Sequence, residues 1–414
     1  MIYIRRNLEE ILLKYIDNKE ILAVVGPRQS GKTTIIKHIL SNIKNKNIKE
    51  VSFDNISDLR LFITDVDSFI EKYVKDTDIL FIDEIQHANK CGPQLKYIFD
   101  TYKKTKIIVS GSSSVDIAIK CLRYLVGRIF VFNLYPFSFS EFLRYKDENL
   151  YNLYVQNKYK EVILKKINKY LDEYLIYGGY PKVVLAKDKE EKKQVLKNIY
   201  NTHALRDIKD IIVLSDDFMF NDLIKALSLQ IGNIINYVNL SSLTGFRYKE
   251  LKRVLNILNK TFICIEIRPF FRNKKKEINK SKKVYFYDLG LRNQVNNNFL
   301  EDVSFRSDIG QLHENFILLE LINNEFEVKY WNSKSNAEVD FIIEKSGKII
   351  PIEVKSTLKK ENLSRSFNSF LTKYKPDVGF IATKEFEGEI KKENTSVYFV
   401  PYIKLLKKIN EIVK

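Results

Sequence analysis

"EILAVVGPRQSGKTTIIKHIL" (residues 20–40) decides the fold of the first part of this chain. Ile21–Val25 is a short apolar run of strand character. Beyond the loop, apolar residues at 35, 36, 39, 40 and 43 keep helical spacing. Between them lie Gly26 and Gly31, in a chain with only 14 glycines among 414 residues. Strand, glycine loop and helix form the context in which G-x-x-x-x-G-K-T reads as a phosphate cradle. Glycine lets the backbone curl so that successive N–H groups face one anion. The helix adds its positive N-terminal end. Gly26, Pro27, Arg28, Gln29, Ser30, Gly31, Lys32, Thr33 and Thr34 are therefore expected to line bound phosphates. Lys32 would neutralise the β- and γ-phosphates of ATP, and the Thr33 hydroxyl would ligate Mg2+.

Two further strands complete this expectation. "DILFIDEIQ" is a buried-type strand ending in Asp83 and Glu84. Asp83 is expected to hold magnesium through water, and Glu84 to polarise the attacking water. "TKIIVSGSSS" ends in Ser110, suited to sensing the γ-phosphate. Three strands with polar carboxyl ends predict an open parallel α/β sheet. Arg128, in "LVGRIFVFN", is either a locally paired surface arginine or an arginine finger toward a neighbouring copy. Gly178, Gly179 and Pro181, in "YLIYGGYPKVV", interrupt a helical region.

Residues 1 to about 210 resemble the AAA-type ATPases of archaea and bacteria that carry a C-terminal nuclease-like domain. GPRQSGKTT, LFIDEIQ, VSGSSS, the GR before LYPFSFSEF, YGGYP and LRDI (205–208) carry the resemblance. It implies a helical lid whose Gly179-Tyr180-Pro181 lies against the nucleotide, and it favours Arg128 as a finger.

The net charge is +17, from 69 Lys+Arg and 52 Asp+Glu. Residues 241–300 hold 14 basic and 4 acidic side chains. This concentration favours a polyanionic partner, DNA, over a uniform compositional bias. The same region reads as a winged helix-turn-helix. A helix over "FMFNDLIKALSLQIGNII" comes first, then a short one capped by Asn239 or Ser241 and ended by Gly245. The third, "RYKELKRVLNILNKT", has Arg247, Lys249, Lys252 and Arg253 on its polar face. Two strand-like runs around "RNKKKEINKSKK" would be the wing. In ATPases of this kind such a module also serves as a protein–protein spacer.

The last part holds a divided constellation. "GQLHENFILLELINN" is a helix with Glu314. A hairpin turning at Ser346-Gly347 carries Asp340 on one strand and Glu353-Val354-Lys355 on the other. Alternation places Glu353 and Lys355 on one face, with Val354 turned inward. Close carboxylates repel unless a cation lies between them, so Asp340 and Glu353 are candidate ligands of Mg2+. Lys355 would orient a water or stabilise phosphate charge. The layout looks like the PD-(D/E)XK nuclease fold. That likeness implies metal and catalytic roles for Glu314, Asp340, Glu353 and Lys355, with Ser333 and Lys334 near the scissile strand.

The expected division is an ATPase core with helical lid over 1–210, a winged helix over 211–295, and a restriction-endonuclease-like α/β domain over 296–414. Cys91, Cys121 and Cys264 show no spacing that supports a disulfide frame or zinc site. No apolar run suits a membrane span and no signal-peptide core is present, so the expected location is the cytoplasm. A homo-oligomer is compatible with this reading.

Overall fold

The apolar run Ile21–Val25 forms β1 and is buried at all five positions. In this computed structural model, residues 3–88, 91–112, 124–156, 160–202, 217–333, 335 and 337–413 are described. Ser113, Ser114, the LRDI stretch and Lys334 lie outside them. Contacts divide the chain into two units. The first holds Met1–Phe137, Tyr180–Lys182 and Asn256–Ile263; the second holds Ser138–Gly179, Val183–Leu255 and Cys264–Lys414.

Among the described residues of the first unit, β1 joins β2 (Ile48–Ser52), β3 (Ile79–Asp83), β4 (Lys106–Gly111) and β5 (Ile129–Asn133). The order is β2-β3-β4-β1-β5, and every pairing is parallel. The inner strands β1, β3 and β4 are near-continuous apolar runs because both of their faces are covered. The edge strands β2 and β5 alternate with exposed positions. Helix α1 (Asn7–Tyr15) contributes Leu12, and α2 (Lys32–Ser41) contributes Ile35, Ile36, Ile39 and Leu40, to one core with β1, β3 and β4. Side chains of this kind contribute roughly 1.5–3 kcal/mol each when fully buried. The spacing read in the sequence is thus the face that packs.

The second unit begins with α3 (Phe139–Lys146), started by a capping box of Ser138 and Glu141. Helix α4 (Glu161–Tyr177) ends at Gly178, whose φ is 73°. Its last carbonyls are met from outside: Asn293 Nδ2 donates to Leu175 and Ile176 at 2.9 Å each. Further along the chain lie α5 (Asp217–Leu229), α6 (Tyr237–Thr244) and α7 (Tyr248–Lys260), the last of which belongs to the first unit from Asn256 onward. Helix α6 is capped by Asn236 rather than Asn239 or Ser241, since the Asn236 side chain accepts the Asn239 N–H at 3.1 Å. Gly245 ends it in the left-handed region, as expected.

The expected wing strands are β6 (Cys264–Pro269) and β7 (Lys283–Phe286). They do not stand apart. β6 pairs in parallel with β8 (Val328–Asn332) through Arg268–Lys329 and Pro269–Tyr330. The hairpin thereby becomes the edge of a sheet ordered β12-β13-β11-β10-β9-β8-β6-β7. Its other members are β9 (Glu338–Lys345), β10 (Lys348–Lys355), β11 (Val378–Thr383), β12 (Gly388–Lys392) and β13 (Thr395–Pro401). β6 thus pairs with strands on both sides of the expected boundary at 295/296. The charged connection is also less free than its composition suggests. Glu277 is buried there, accepts the Phe271 N–H at 3.1 Å and pairs with Lys329 at 3.4 Å. Helix α8 (Ile309–Asn323) packs on the sheet. Helix α9 (Arg365–Tyr374) covers an aromatic core of Phe270, Trp331, Phe367 and Phe370.

Cys91 is disulfide-bonded and Cys264 is free and buried. A bridge depends on spatial rather than sequence separation, so the spacing of the cysteines does not signal it. No helix among the described residues is long and apolar enough to cross a membrane.

Helix Leu289–Asn296 meets the end of α4 at Gly290, where a Cβ would lie 2.0 Å from the Tyr177 carbonyl oxygen. Backbone on both sides leaves no room to yield. Gly290→Ala is expected to lower stability by about 1–3 kcal/mol. Gly310→Ala, whose Cβ would meet only Ser356 Oγ at 3.8 Å, is expected to be neutral or slightly stabilising. Urea unfolding followed by circular dichroism measures both.

Candidate functional site

The loop after β1 folds as its glycines dictate. Gly31 caps α2 with φ 94°, a conformation that a side chain would strain. Gln29 also takes positive φ, 63°. Lys32, 5% exposed, turns back over the loop and donates to the carbonyls of Gly26 at 3.2 Å and Pro27 at 2.9 Å. Burial lowers its pKa to about 8, against the opposing pull of Glu84 and Asp83.

Adjacent parallel strands bring the other expected groups to this edge. Thr33 Oγ1 donates to Asp83 Oδ2 at 2.8 Å, and Ser110 Oγ donates to Asp83 Oδ1. Glu84 follows with φ 54°, left-handed backbone that costs a non-glycine residue about 1–2 kcal/mol. Strain of this kind persists where surrounding contacts over-determine it. Lys32, Thr33, Asp83, Glu84 and Ser110 are thus one cluster. The hydroxyl and carboxylate of Thr33 and Asp83 fit a magnesium ion that takes its remaining ligands from phosphate and water.

Pro181 belongs to the same unit, and its Cγ lies 3.9 Å from where a Gly31 Cβ would be. Arg128 is engaged locally: Nε donates to Asp100 Oδ1 at 2.8 Å and Nη2 to Oδ2 at 3.3 Å.

Two residues escaped the sequence reading. Gln86 Nε2 donates to Glu84 Oε2, while Gln86 Oε1 accepts the Ser112 N–H at 3.2 Å. The glutamine thus ties the Glu84 carboxylate to the end of β4. Its place in "DEIQ" was the available signal. Buried Arg6 donates from Nη1 to the Ser30 carbonyl at 2.8 Å and from Nη2 to that of Tyr135 at 2.7 Å. Its guanidinium lies 4.7 Å from the Phe137 ring centroid. It clamps the loop from outside, and nothing in the sequence around it signals this.

In the second unit the four expected groups sit on α8, β9 and β10. Asp340 Oδ2 accepts the Val354 N–H at 2.7 Å. Lys355 Nζ lies 2.7 Å from Glu353 Oε1, and Ser364 Oγ donates to Glu353 Oε2 at 3.0 Å. Glu353 is 4% exposed and Val354 is half-buried, the reverse of the expected alternation. The Glu353 carboxylate can sit inside because it has both donors. Burial raises its pKa, with Lys355 opposing.

Glu314 meets an unexpected partner. Lys283 Nζ of β7 approaches Glu314 Oε1 at 3.0 Å and Glu338 Oε1 at 2.5 Å. Tyr285 Oη donates to Glu314 Oε1 at 2.5 Å. Burial opposes the charge of Lys283, yet Glu314, Asp340 and Glu338 hold its pKa above the ordinary lysine value. Glu314 Oε2 lies only 3.1 Å from where a Gly232 Cβ would be.

Each of the three carboxylates is thus engaged by donors of the chain itself. Among the described residues no three His, Cys, Asp or Glu side chains form a metal-binding group. The fit to a divalent ion is poorer here than at Thr33 and Asp83, because lysines of the chain already pair with Glu314 and Glu353.

Three family models match successive parts of the chain. Residues 18–143 match an AAA domain (AAA_14). Residues 168–302 and 309–403 match two domains of unknown function (DUF8612 and DUF4143). A relative in Methanocaldococcus jannaschii, named only as uncharacterized, is 28% identical over 87% of this chain and 80% of its own. A Haemophilus influenzae protein, likewise uncharacterized, is 25% identical over 84% and 86%. A Walker-type ATPase of Pyrococcus abyssi aligns in structure with TM-score 0.48 and 14% identity, over 71% of this chain and 96% of that one. The N-terminal unit is similar in sequence to AAA-type ATPases, and its parallel sheet and loop are those of a P-loop fold.

Proposed function

We propose that the chain binds and hydrolyses ATP with magnesium, and that nucleotide state governs how its basic segment holds DNA. The observation that carries the reading is the convergence of Thr33, Ser110 and the Glu84 N–H on Asp83, beside the loop over which Lys32 folds. Magnesium bound by Thr33 and Asp83 would neutralise charge on the β- and γ-phosphates. Lys32 would leave its carbonyl partners for those phosphates. Glu84 would orient water, and Gln86 holds its carboxylate in place. Pro181 would close on the nucleotide as part of the lid. A finger role for Arg128 in a homo-oligomer would require release from Asp100.

The DNA contact is assigned to α7. Leu251, Val254, Leu255 and Leu258 are buried, while Arg247, Lys249, Lys252 and Arg253 are exposed. An amphipathic helix with a basic outer face suits phosphate contacts. Residues 211–295 would be the winged-helix module, after an ATPase core with lid (1–210), with its hairpin joined through β6 to the sheet of the nuclease-like domain (296–414). The last domain would cut DNA with magnesium, serve a nucleotide-controlled switch that does not cut, or only grip a duplex; the donors that engage its carboxylates favour a domain that does not cut.

Lys32→Ala is expected to abolish ATP binding measured by calorimetry. Glu84→Gln should retain binding and lose about 10²–10⁴-fold in turnover. Retained hydrolysis in both variants would refute the assignment.

The protonated lysine is the form that grips phosphate. Its pKa of about 8 makes binding above that pH require proton uptake. ATP affinity should therefore fall as pH rises through about 8, and flatten in Lys32→Arg.

Duplex DNA should bind with a steep salt dependence. Each Ala replacement among Arg247, Lys249, Lys252 and Arg253 should reduce the log–log salt slope by about 1. No magnesium-dependent strand cleavage is expected, and cleavage lost in Asp340→Ala would reverse the reading of the last domain.

A further inference from the structure

The C-terminal carboxylates have a cation, and it belongs to the chain. Lys283 has no exposed surface and enters from β7 at the sheet edge. Its ammonium touches carboxylates from two other elements, Glu314 of α8 and Glu338 of β9. Asp340, two positions along β9, acts on it electrostatically. Tyr285, two residues on and hence on the same face of β7, donates to the same Glu314 oxygen.

We infer that Lys283 stands where a divalent cation would otherwise be needed, making this cluster a lock between β7, β9 and α8 rather than a metal site. The physical case is one of competition. Glu314, Glu338, Asp340 and Glu353 together bring up to four negative charges to one cluster, and such a set needs positive charge or separation. Here Lys283 supplies positive charge from inside, and the partly exposed Lys355 supplies it from the rim. A buried ammonium with two carboxylate contacts and no exposed surface does not exchange with solvent ions at low cost.

The arrangement also fixes the hairpin. Gly232 N–H donates to the Val284 carbonyl at 2.9 Å and Ile235 N–H to that of Lys282 at 2.8 Å. β7 is therefore held from the loop before α6 on one side and by the ion pairs on the other. The inference is independent of the nucleotide site, and its test uses no nucleotide.

The experiment uses the full-length chain. Free Mn2+ is followed by electron paramagnetic resonance, and melting is measured in chelator and in excess MgCl2. Wild type is expected to take up no Mn2+ that Asp340→Asn removes, and its Tm should not respond to Mg2+. Lys283→Met, of similar length without charge, should melt lower. Mg2+ should restore part of that loss, and Lys283→Met/Asp340→Asn should lose the restoration. Mn2+ uptake by wild type that depends on Asp340 would overturn the inference. So would a Lys283→Met chain with wild-type Tm, or one whose Tm ignores Mg2+. If Lys283→Met does not fold, the wild-type titration decides alone.

Discussion

The hydrogen bond from Thr33 to Asp83 is the constraint on which the first unit turns. It joins the start of α2 to the end of β3, strands apart in sequence but close across the carboxyl edge of a parallel sheet. A parallel sheet points all its carboxyl ends one way, so polar groups placed at strand ends meet without any further device. Asp83 collects Thr33, Ser110 and its own neighbour's N–H because three different strands or helices begin or end there. The glycine loop supplies what side chains do not: a turn tight enough for Lys32 to fold back over its own carbonyls.

How much of this was legible depends on the range of each interaction. The phosphate loop is local, and its strand, turn residues and helical period all lie within 21 consecutive residues. Asp83 and Ser110 were legible because an apolar run ending in a polar residue states both the strand and its tip. Gln86 was visible but unread, since nothing in a sequence shows that it reaches back to Glu84. Arg6 lay beyond reach: its contact to Ser30 spans 24 residues and that to Tyr135 spans 129.

The second unit was read less well for a related reason. The hairpin, its Ser346-Gly347 turn and the amphipathic α7 follow from short periods and turn chemistry. Sheet membership does not. β6 and β7 pair with each other as any hairpin would, yet only two residue pairs, Arg268–Lys329 and Pro269–Tyr330, join them to the C-terminal sheet. Those pairs convert an expected free wing into an edge. Basic composition misled in the same way. Lys283 and Arg292 were counted within a surface surplus, but both are buried against carboxylates, Arg292 on Asp308. The exposed charge of the region is smaller than the count.

Burial separates the roles of the chain's lysines. Lys32 is buried among loop carbonyls, with its acids at a distance, so desolvation dominates and its proton is held less firmly than usual. Lys283 is buried in direct contact with carboxylates, so attraction overcomes the same desolvation and its proton is held more firmly than usual. A cation that must be released to a ligand needs the first environment. A cation that must hold three elements together needs the second. Removing one partner of a buried pair leaves the other uncompensated and is far more costly than never forming the pair. The sheet edge is therefore committed to Lys283 once folded, whereas the phosphate loop is built to exchange its internal contacts for an external anion.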